Sequence, residues 1–236
     1  MNSMSAIMRR ELSSYFLSPI VYVILAIFAL IYAIFFNGVF ISYGVTNLQF
    51  SMSNLLVVFL FLMPLMTMRS LSEERKMGTE ELLMTAPITT GQMVCGKFFA
   101  LLILLLVMLG LSLIHFVIAI SFGVPDLGPI ISSYIGLILA GAVFISIGLF
   151  ASSLSDNQIV SGLVGFGILL FFWLLEMLGT SVGGKLGDII NNLALLKHYE
   201  DFNKGVIDTG NLIFYLSLLG VFLFLTIRRV ESRRWR

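Results

Sequence analysis

The chain has 236 residues, of which 58% are hydrophobic and 11% are charged. Soluble domains carry about 25% charged residues, so the composition excludes an ordinary soluble globular protein and indicates a multi-pass membrane protein. The net charge of +1 provides no general attraction to nucleic acid. The single cysteine, Cys95, excludes a disulfide within the chain and a cysteine-based metal cluster.

The first 18 residues mix polar and apolar side chains. Apolar residues recur at helical spacing, with Arg9 and Arg10 on the other face. This pattern predicts an amphipathic helix in the membrane interface over residues 1–18, with a frayed terminus as the alternative. The first long apolar run starts only after Pro19. Because that run is too long for a cleavable signal peptide, we expect a true membrane span there.

Six apolar runs follow, close in length to the roughly 20 residues that cross a bilayer. The predicted spans are 20–42, 53–68, 98–122, 130–152, 158–178 and 211–227. Pro64 predicts a kink in the second span. Turns at 123–129 and 153–157 separate spans three, four and five. A longer loop at 179–210 precedes the last span, and it contains an apolar patch at 189–196.

The distribution of Lys and Arg supports six spans. With that number, both termini and residues 69–97 share one side, which holds eleven of the 14 Lys and Arg residues. The other side holds only Lys185, Lys197 and Lys204. The positive-inside rule therefore predicts that both termini and residues 69–97 are cytoplasmic, and that residues 179–210 are extracytoplasmic.

Residues 69–97, called the charged loop below, interrupt the apolar sequence between spans two and three. Ser70 and Glu73 have the spacing of a capping box, which predicts the start of a short helix. Gly78 weakens that helix, and Thr79 can cap a second one. Thr89 begins another capping box, which opens span three.

The predicted second helix, at 79–86, has acidic residues in its first turn and then an apolar stripe, and Pro87 ends it. A helix of about two turns is unstable alone and must pack on something. The pattern favours a docking element for a cytoplasmic partner. The alternative is a solvated loop that rests on lipid.

The same residues carry a resemblance to a known family. The run from Gly78 to Leu83 reads GTEELL, and with Pro87 and the pair Gly96-Lys97 it resembles the signature loop of ABC-2 type transporter permeases. Glu73 and Glu74 fit the acidic positions before the Gly-Thr pair. A second likeness, to the gliding-motility-associated branch of the family, involves four residues before the last span and the tail at 231–235. Those four are Phe202, Gly205, Val206 and Asp208.

The resemblance implies an all-α integral membrane domain over 1–236, the permease subunit of an ATP-binding cassette exporter in the bacterial cytoplasmic membrane. It implies that residues 1–18 are a connecting helix, that the charged loop carries a coupling helix docked on a cytoplasmic ATPase, and that 189–196 supplies a re-entrant or interfacial helix. A second permease subunit and membrane lipid are the other implied partners. ATP and Mg²⁺ would bind the ATPase and not this chain. The expected docking residues are Glu73, Glu74, Gly78, Thr79, Glu81, Leu82 and Leu83.

No enzymatic motif is complete in the sequence. Residues 91–98 nearly spell a phosphate-binding loop, but Phe98 replaces the Ser or Thr that would ligate magnesium, and the segment runs into a span. We therefore expect no ATPase site in this chain. The alternatives to a permease are a stand-alone channel or proton-coupled carrier, and a membrane anchor that scaffolds a complex.

A few residues within the spans are candidates for the transport path or for the contact with a second permease. His115 and Glu176 are ionisable groups in or beside apolar helices, where such groups are often functional. Gly162, Gly165 and Gly167 allow close helix approach in span five. Packing within one subunit is the alternative explanation for all of them.

Overall fold

The computed structural model describes residues 3–43, 48–79, 88–122 and 126–233. These residues are almost entirely helical, and no strand occurs among them. The helices are α1 Ser3–Leu17, α2 Pro19–Tyr43, α3 Leu48–Thr67, α4 Arg69–Lys76, α5 Thr90–Phe122, α6 Leu127–Leu154, α7 Gln158–Val182, α8 Gly184–Asn191, α9 Leu195–Asn203 and α10 Thr209–Glu231.

Six helices are long and apolar enough to cross a membrane, which confirms the predicted number of spans. They are α2, the pair α3 and α4 taken as one span, α5, α6, α7 and α10. Each helix extends beyond the apolar run that predicted it. The third predicted span, for example, begins at residue 98, whereas α5 begins at Thr90. The extra residues are polar helix ends, which apolar run length cannot detect.

Helix α6 is the centre of the bundle and packs against α3, α5, α7, α9 and α10. Small residues permit this close packing. A Cβ placed on Gly148 would lie 2.0 Å from Thr67 Oγ1 of α3, and one on Gly141 would lie 2.5 Å from Leu105 Cδ2 of α5. The backbones of these helices therefore approach more closely than any residue with a side chain would allow.

Pro64 and Pro129 occupy different positions in their helices. Pro64 lies inside α3, and the helix continues through it. A turn between helices was predicted at 123–129, but Pro129 belongs to the first helical turn of α6. Asp126 caps that helix by accepting a hydrogen bond from the Gly128 N–H at 3.1 Å. Proline is tolerated in a first turn because the N–H that it lacks has no partner there.

The connection between α7 and α10, called the α7–α10 loop below, contains two short helices. The apolar patch at 189–196 does not form one helix, because α8 ends at Asn191 and α9 begins at Leu195. Helix α9 buries Leu195, Tyr199 and Phe202. The patch is thus the turn between α8 and α9. Its Leu195 is one of the buried residues that pack α9 against the bundle.

Helix α1 covers Ser3–Leu17 and packs mainly against α5, with a smaller contact to α2. Its buried residues are Ile7 and Glu11, so a carboxylate faces inward beside an aliphatic side chain. A Cβ on Gly96 of α5 would lie 3.0 Å from Ile7 Cγ2, which shows how closely the two helices approach. The position of α1 in a membrane interface stays a prediction.

Candidate functional site

The charged loop begins with α4, which follows α3 after a single turn residue. The capping box predicted at Ser70 is wrong, because no side chain of α4 caps its start. A hydroxyl from α6 does so instead. Ser152 Oγ accepts hydrogen bonds from the main-chain N–H of Leu71 at 3.0 Å and of Ser72 at 3.1 Å. These are N–H groups that a helix leaves unpaired in its first turn, so α6 supplies the cap.

Gly78 lies just beyond the end of α4, with φ of +70°. Glycine adopts this left-handed conformation at little cost, which suits the end of a helix. The hydroxyl of Thr79 donates a hydrogen bond to the main-chain oxygen of Glu74 at 3.1 Å. Of the docking helix predicted at 79–86, only Thr79 lies within the described residues, and Glu80, Glu81, Leu82, Leu83 and Pro87 lie outside them.

The capping box predicted at the start of span three is confirmed. The Thr89 N–H donates to Gln92 Oε1 at 3.2 Å, and the Gln92 N–H donates to Thr89 Oγ1 at 3.2 Å. Helix α5 then continues to Phe122. The near-match to a phosphate-binding loop at 91–98 lies within this helix.

A cluster of four charges, called the ion cluster below, joins the charged loop to α1, and three of its four side chains are largely buried. It comprises Arg10 and Glu11 of α1, Glu74 of α4 and Lys97 of α5. Lys97 Nζ lies 2.9 Å from Glu11 Oε1, 2.8 Å from Glu74 Oε2 and 2.8 Å from the Ser70 main-chain oxygen. The side chain of Lys97 is only 1% exposed. The contacts to Glu11 and to the Ser70 oxygen are hydrogen bonds and the contact to Glu74 is an ion pair, so the buried ammonium is paired with two carboxylates.

Arg10 closes the cluster on its solvent side. Its Nη2 donates to Glu11 Oε1 at 2.7 Å and also contacts Glu74 Oε1. Two cations thus balance two carboxylates. Burial alone would raise the pKa of the Glu11 carboxyl, but the charges and hydrogen bonds of Lys97 and Arg10 outweigh burial and lower that pKa. Glu11 is therefore ionised at neutral pH, and the cluster holds α1, α4 and α5 together.

An open cleft of about 330 Å³ lies beside the ion cluster, between α1, α4 and the start of α5. Tyr15 and Ser70 line it, together with Arg69 and Glu73. Arg69 and Glu73 pair with each other, with Arg69 Nε 2.8 Å from Glu73 Oε2. Both side chains are partly exposed, so they are accessible to a partner. Of the predicted docking residues, Glu73 therefore faces the open cleft, whereas Glu74 faces the ion cluster.

Two further contacts fix this end of the bundle. Arg75 of α4 pairs with Asp156, in the turn between α6 and α7, at 2.7 Å between Nη1 and Oδ1. Arg233, after α10, donates to the main-chain oxygen of Ser153. A small apolar cluster under α4 adds contacts among α1, α4, α5 and α10. Its buried members are Ile7, Leu71, Met93, Val94 and Val230.

The glycines predicted to line an interface have different surroundings. A Cβ on Gly165 would lie 3.4 Å from Ala151 Cβ, and one on Gly162 would lie 3.3 Å from Met68 Sδ. Both glycines therefore pack against other helices of the same chain. No described atom lies within 4 Å of a Cβ on Gly167, which is on the exposed side of α7. Of the three, Gly167 is the one available to a second subunit.

The two predicted ionisable candidates lie against aromatic or charged neighbours. The ring of His115 makes T-shaped contacts with the rings of Tyr32 and Phe36, with centroid distances of 4.8 Å and 5.2 Å. His115 of α5 therefore packs against α2. Glu176 lies near Lys197 and Glu200 of α9 and interacts with both charges. The structure does not bring these two residues together with the charged loop.

Sequence reasoning missed Lys97 and Glu11 as the centre of the site. The available signal was Lys97 itself, because an ionisable group inside an apolar helix needs a partner. The sequence does not reveal which carboxylates pair with it. Glu11 is 86 positions away along the chain, and α1 does not stand out from other amphipathic segments.

The fold defines the chain as a helical multi-pass membrane protein, with a polar site at the end of the bundle where α4 lies. The sequence matches the family described as ABC-2 family transporter protein over residues 5–227. The chain therefore belongs to the ABC-2 transporter family. No curated protein matches the sequence.

Proposed function

We propose that the chain is the permease subunit of an ATP-binding cassette exporter, driven by ATP that a separate subunit hydrolyses. Membership of the ABC-2 family supports a transport permease that works with an ATPase. The observation that carries the proposal is the position of the charged loop. Its described ends are α4, which follows α3 after one residue, and α5, which is span three. A partner bound to the loop would act directly on two spans.

The ion cluster supports this transmission. Lys97 belongs to α5 and Glu74 to α4, and both contact Glu11 of α1 or its neighbour Arg10. A displacement of the loop would therefore move three helices as one unit. The ATPase would shift the population between two arrangements of the spans by binding one of them more tightly.

The proposed docking surface consists of residues of the charged loop. Its described members are Glu73 and Thr79, which are partly exposed, and Gly78, which is exposed. Glu81, Leu82 and Leu83 supply the acidic and apolar groups that would enter a groove on the ATPase. Glu74 contributes by holding α4 in place. ATP and Mg²⁺ bind the partner in this proposal, and a second permease completes the path, with Gly167 of α7 at the contact.

Two substitutions in the loop test the docking surface. Glu81→Lys reverses a charge and Leu82→Asp removes an apolar contact, so we expect each to abolish co-purification of the ATPase while membrane insertion is unchanged. The amount of ATPase recovered with the tagged permease measures the effect. Leu193→Asp is the matched control, because Leu193 is exposed in the α7–α10 loop at the other end of the bundle. The proposal is wrong if both loop variants retain the ATPase at the wild-type level.

A further inference from the structure

His198 of α9 joins three elements of the α7–α10 loop. Its Nε2 lies 3.0 Å from the main-chain oxygen of Asn192, the residue that ends α8. Its Nδ1 lies 2.6 Å from Oδ1 of Asn211, in the first turn of α10. Its ring stacks on Phe214 of α10, with 3.9 Å between centroids. The side chain therefore connects α8, α9 and α10.

Both atoms that face the ring nitrogens are hydrogen-bond acceptors. The main-chain oxygen of Asn192 can only accept. The amide of Asn211 has its orientation fixed, because its Nδ2 donates to Asp201 Oδ2 at 2.8 Å and a carboxylate oxygen accepts. Oδ1 of Asn211 must then face His198. Asn211 is buried, so water cannot readily replace it, whereas the contact to the Asn192 oxygen lies on the exposed side of the ring.

A neutral imidazole carries one N–H and can satisfy only one of these two acceptors. Its other nitrogen would then place a lone pair against a carbonyl oxygen. The imidazolium form carries two N–H groups and donates to both oxygens, and hydrogen bonds from a charged donor are the stronger kind. The stacked ring of Phe214 also favours a cation.

The geometry points to a proton-binding site at His198, which holds α8 and α9 against α10 when it is occupied and releases the contact with Asn192 when it is empty. We use "the His198 site" for His198, Asn192, Asn211 and Asp201. The site lies at the opposite end of the bundle from the charged loop, because α7 and α10 run in opposite directions between the two ends. Nothing in it depends on a bound ATPase.

The charged and titratable groups around the site come from each packed element. Asp201 of α9 acts through Asn211, and Tyr215 of α10 has its ring 6.4 Å from that of His198. The hydroxyl of Tyr215 donates a hydrogen bond to the main-chain oxygen of Leu195 at 2.7 Å. The other charged residues at this end of α7, in α8 and α9, and between α9 and α10 make no hydrogen bond or ion pair to the imidazole within the described ranges. They are Glu176, Lys185, Asp188, Lys197, Glu200, Lys204 and Asp208.

Hydrogen exchange of the loop backbone tests the site in the intact chain, reconstituted in lipid nanodiscs. Exchange of peptides covering 184–203 is compared at about pH 5.5 and about pH 8, which span the range where histidines change charge, after correction for intrinsic exchange. We expect roughly tenfold greater protection at the lower pH, the equivalent of one hydrogen bond to a charged group. His198→Gln should remove this difference, because glutamine cannot gain a proton.

The control is His115→Phe, which removes the other histidine of the chain and should leave the pH response intact. The proposal is overturned if the wild-type loop shows no pH response, or if the response persists in His198→Gln. Should the glutamine variant fail to insert, nitrogen NMR of ¹⁵N-histidine in the His115→Phe chain gives the answer directly. Both ring nitrogens should carry protons at the lower pH, and a ring that stays neutral there contradicts the proposal.

Discussion

At the scale of single residues, the ion cluster is the feature on which most of the structure around the charged loop depends. Moving Lys97 and two carboxylates out of water is costly, and only near-complete pairing offsets that cost. Lys97 contacts two carboxylates and one main-chain oxygen, and each carboxylate contacts two cations. The cluster is therefore stable as a whole and sensitive to the loss of any member.

Lys97→Met should destabilise the protein by about 3–5 kcal/mol, because it leaves Glu11 and Glu74 buried with Arg10 as their remaining partner. Thermal unfolding in detergent measures the effect. The matched control is Lys204→Met, whose lysine is 65% exposed and lies 3.2 Å from Glu200. An exposed pair contributes about 0–1 kcal/mol. Equal losses in the two variants would show that the buried cluster has no special role.

At the scale of helices, close crossings and shared caps hold the elements in register. Ser152 of α6 caps α4 by accepting from Leu71 and Ser72. Four residues earlier on the same helix, Gly148 lies against Thr67, the last residue of α3. Both contacts set the position of α4 along α6, and α4 begins the charged loop. One hydroxyl and one glycine thus add to the ion pairs that hold the start of the loop.

Gly148→Ala should strongly destabilise this crossing, by about 1–3 kcal/mol, since its Cβ would overlap the branched side chain of Thr67. Gly110→Ala is the control, because no described atom lies within 4 Å of its Cβ. Alanine is the better helix former, so the control should be neutral or slightly stabilising. Comparing the unfolding temperatures of the two variants separates overlap from helix propensity. A similar effect of both would contradict the close crossing.

At the scale of the whole molecule, the sequence predicted what depends on local patterns. Six apolar runs predicted six spans, and Thr89 with Gln92 predicted the start of α5. The sequence did not reveal contacts between distant segments. The partners of Lys97 lie on α1 and α4, and the cap of α4 comes from α6. Periodicity reports which face of a helix is apolar, but not which helix covers it.

The α7–α10 loop shows the same limit. The family resemblance implied a helix at the apolar patch 189–196, but the chain turns between α8 and α9 within that patch. A packed corner and a continuous helix both need apolar side chains, so composition does not distinguish them. The pairing of His198 with Asn211 spans two elements and is likewise invisible to a local pattern.

The distribution of Lys and Arg predicts the orientation of the whole molecule. In a Cys95→Ala background, Ser232→Cys should react with a membrane-impermeant maleimide only from the cytoplasmic side, and Leu193→Cys only from the other. Both positions are exposed, and the native chain has no other cysteine to interfere. Labelling of intact cells and of inverted vesicles gives the comparison. Reaction of both positions from one side would contradict a crossing of the membrane by α10.

The most direct test of the central claim measures ATP hydrolysis by the complex isolated through this chain. The permease is extracted in mild detergent, moved into lipid nanodiscs with whatever ATPase it retains, and assayed with Mg²⁺ and ATP. We predict hydrolysis that co-elutes with the wild-type chain, disappears in Leu82→Asp and remains in Leu193→Asp. Wild-type complexes without hydrolysis, or unchanged hydrolysis in Leu82→Asp, would contradict the claim that the charged loop couples a separate ATPase to the spans.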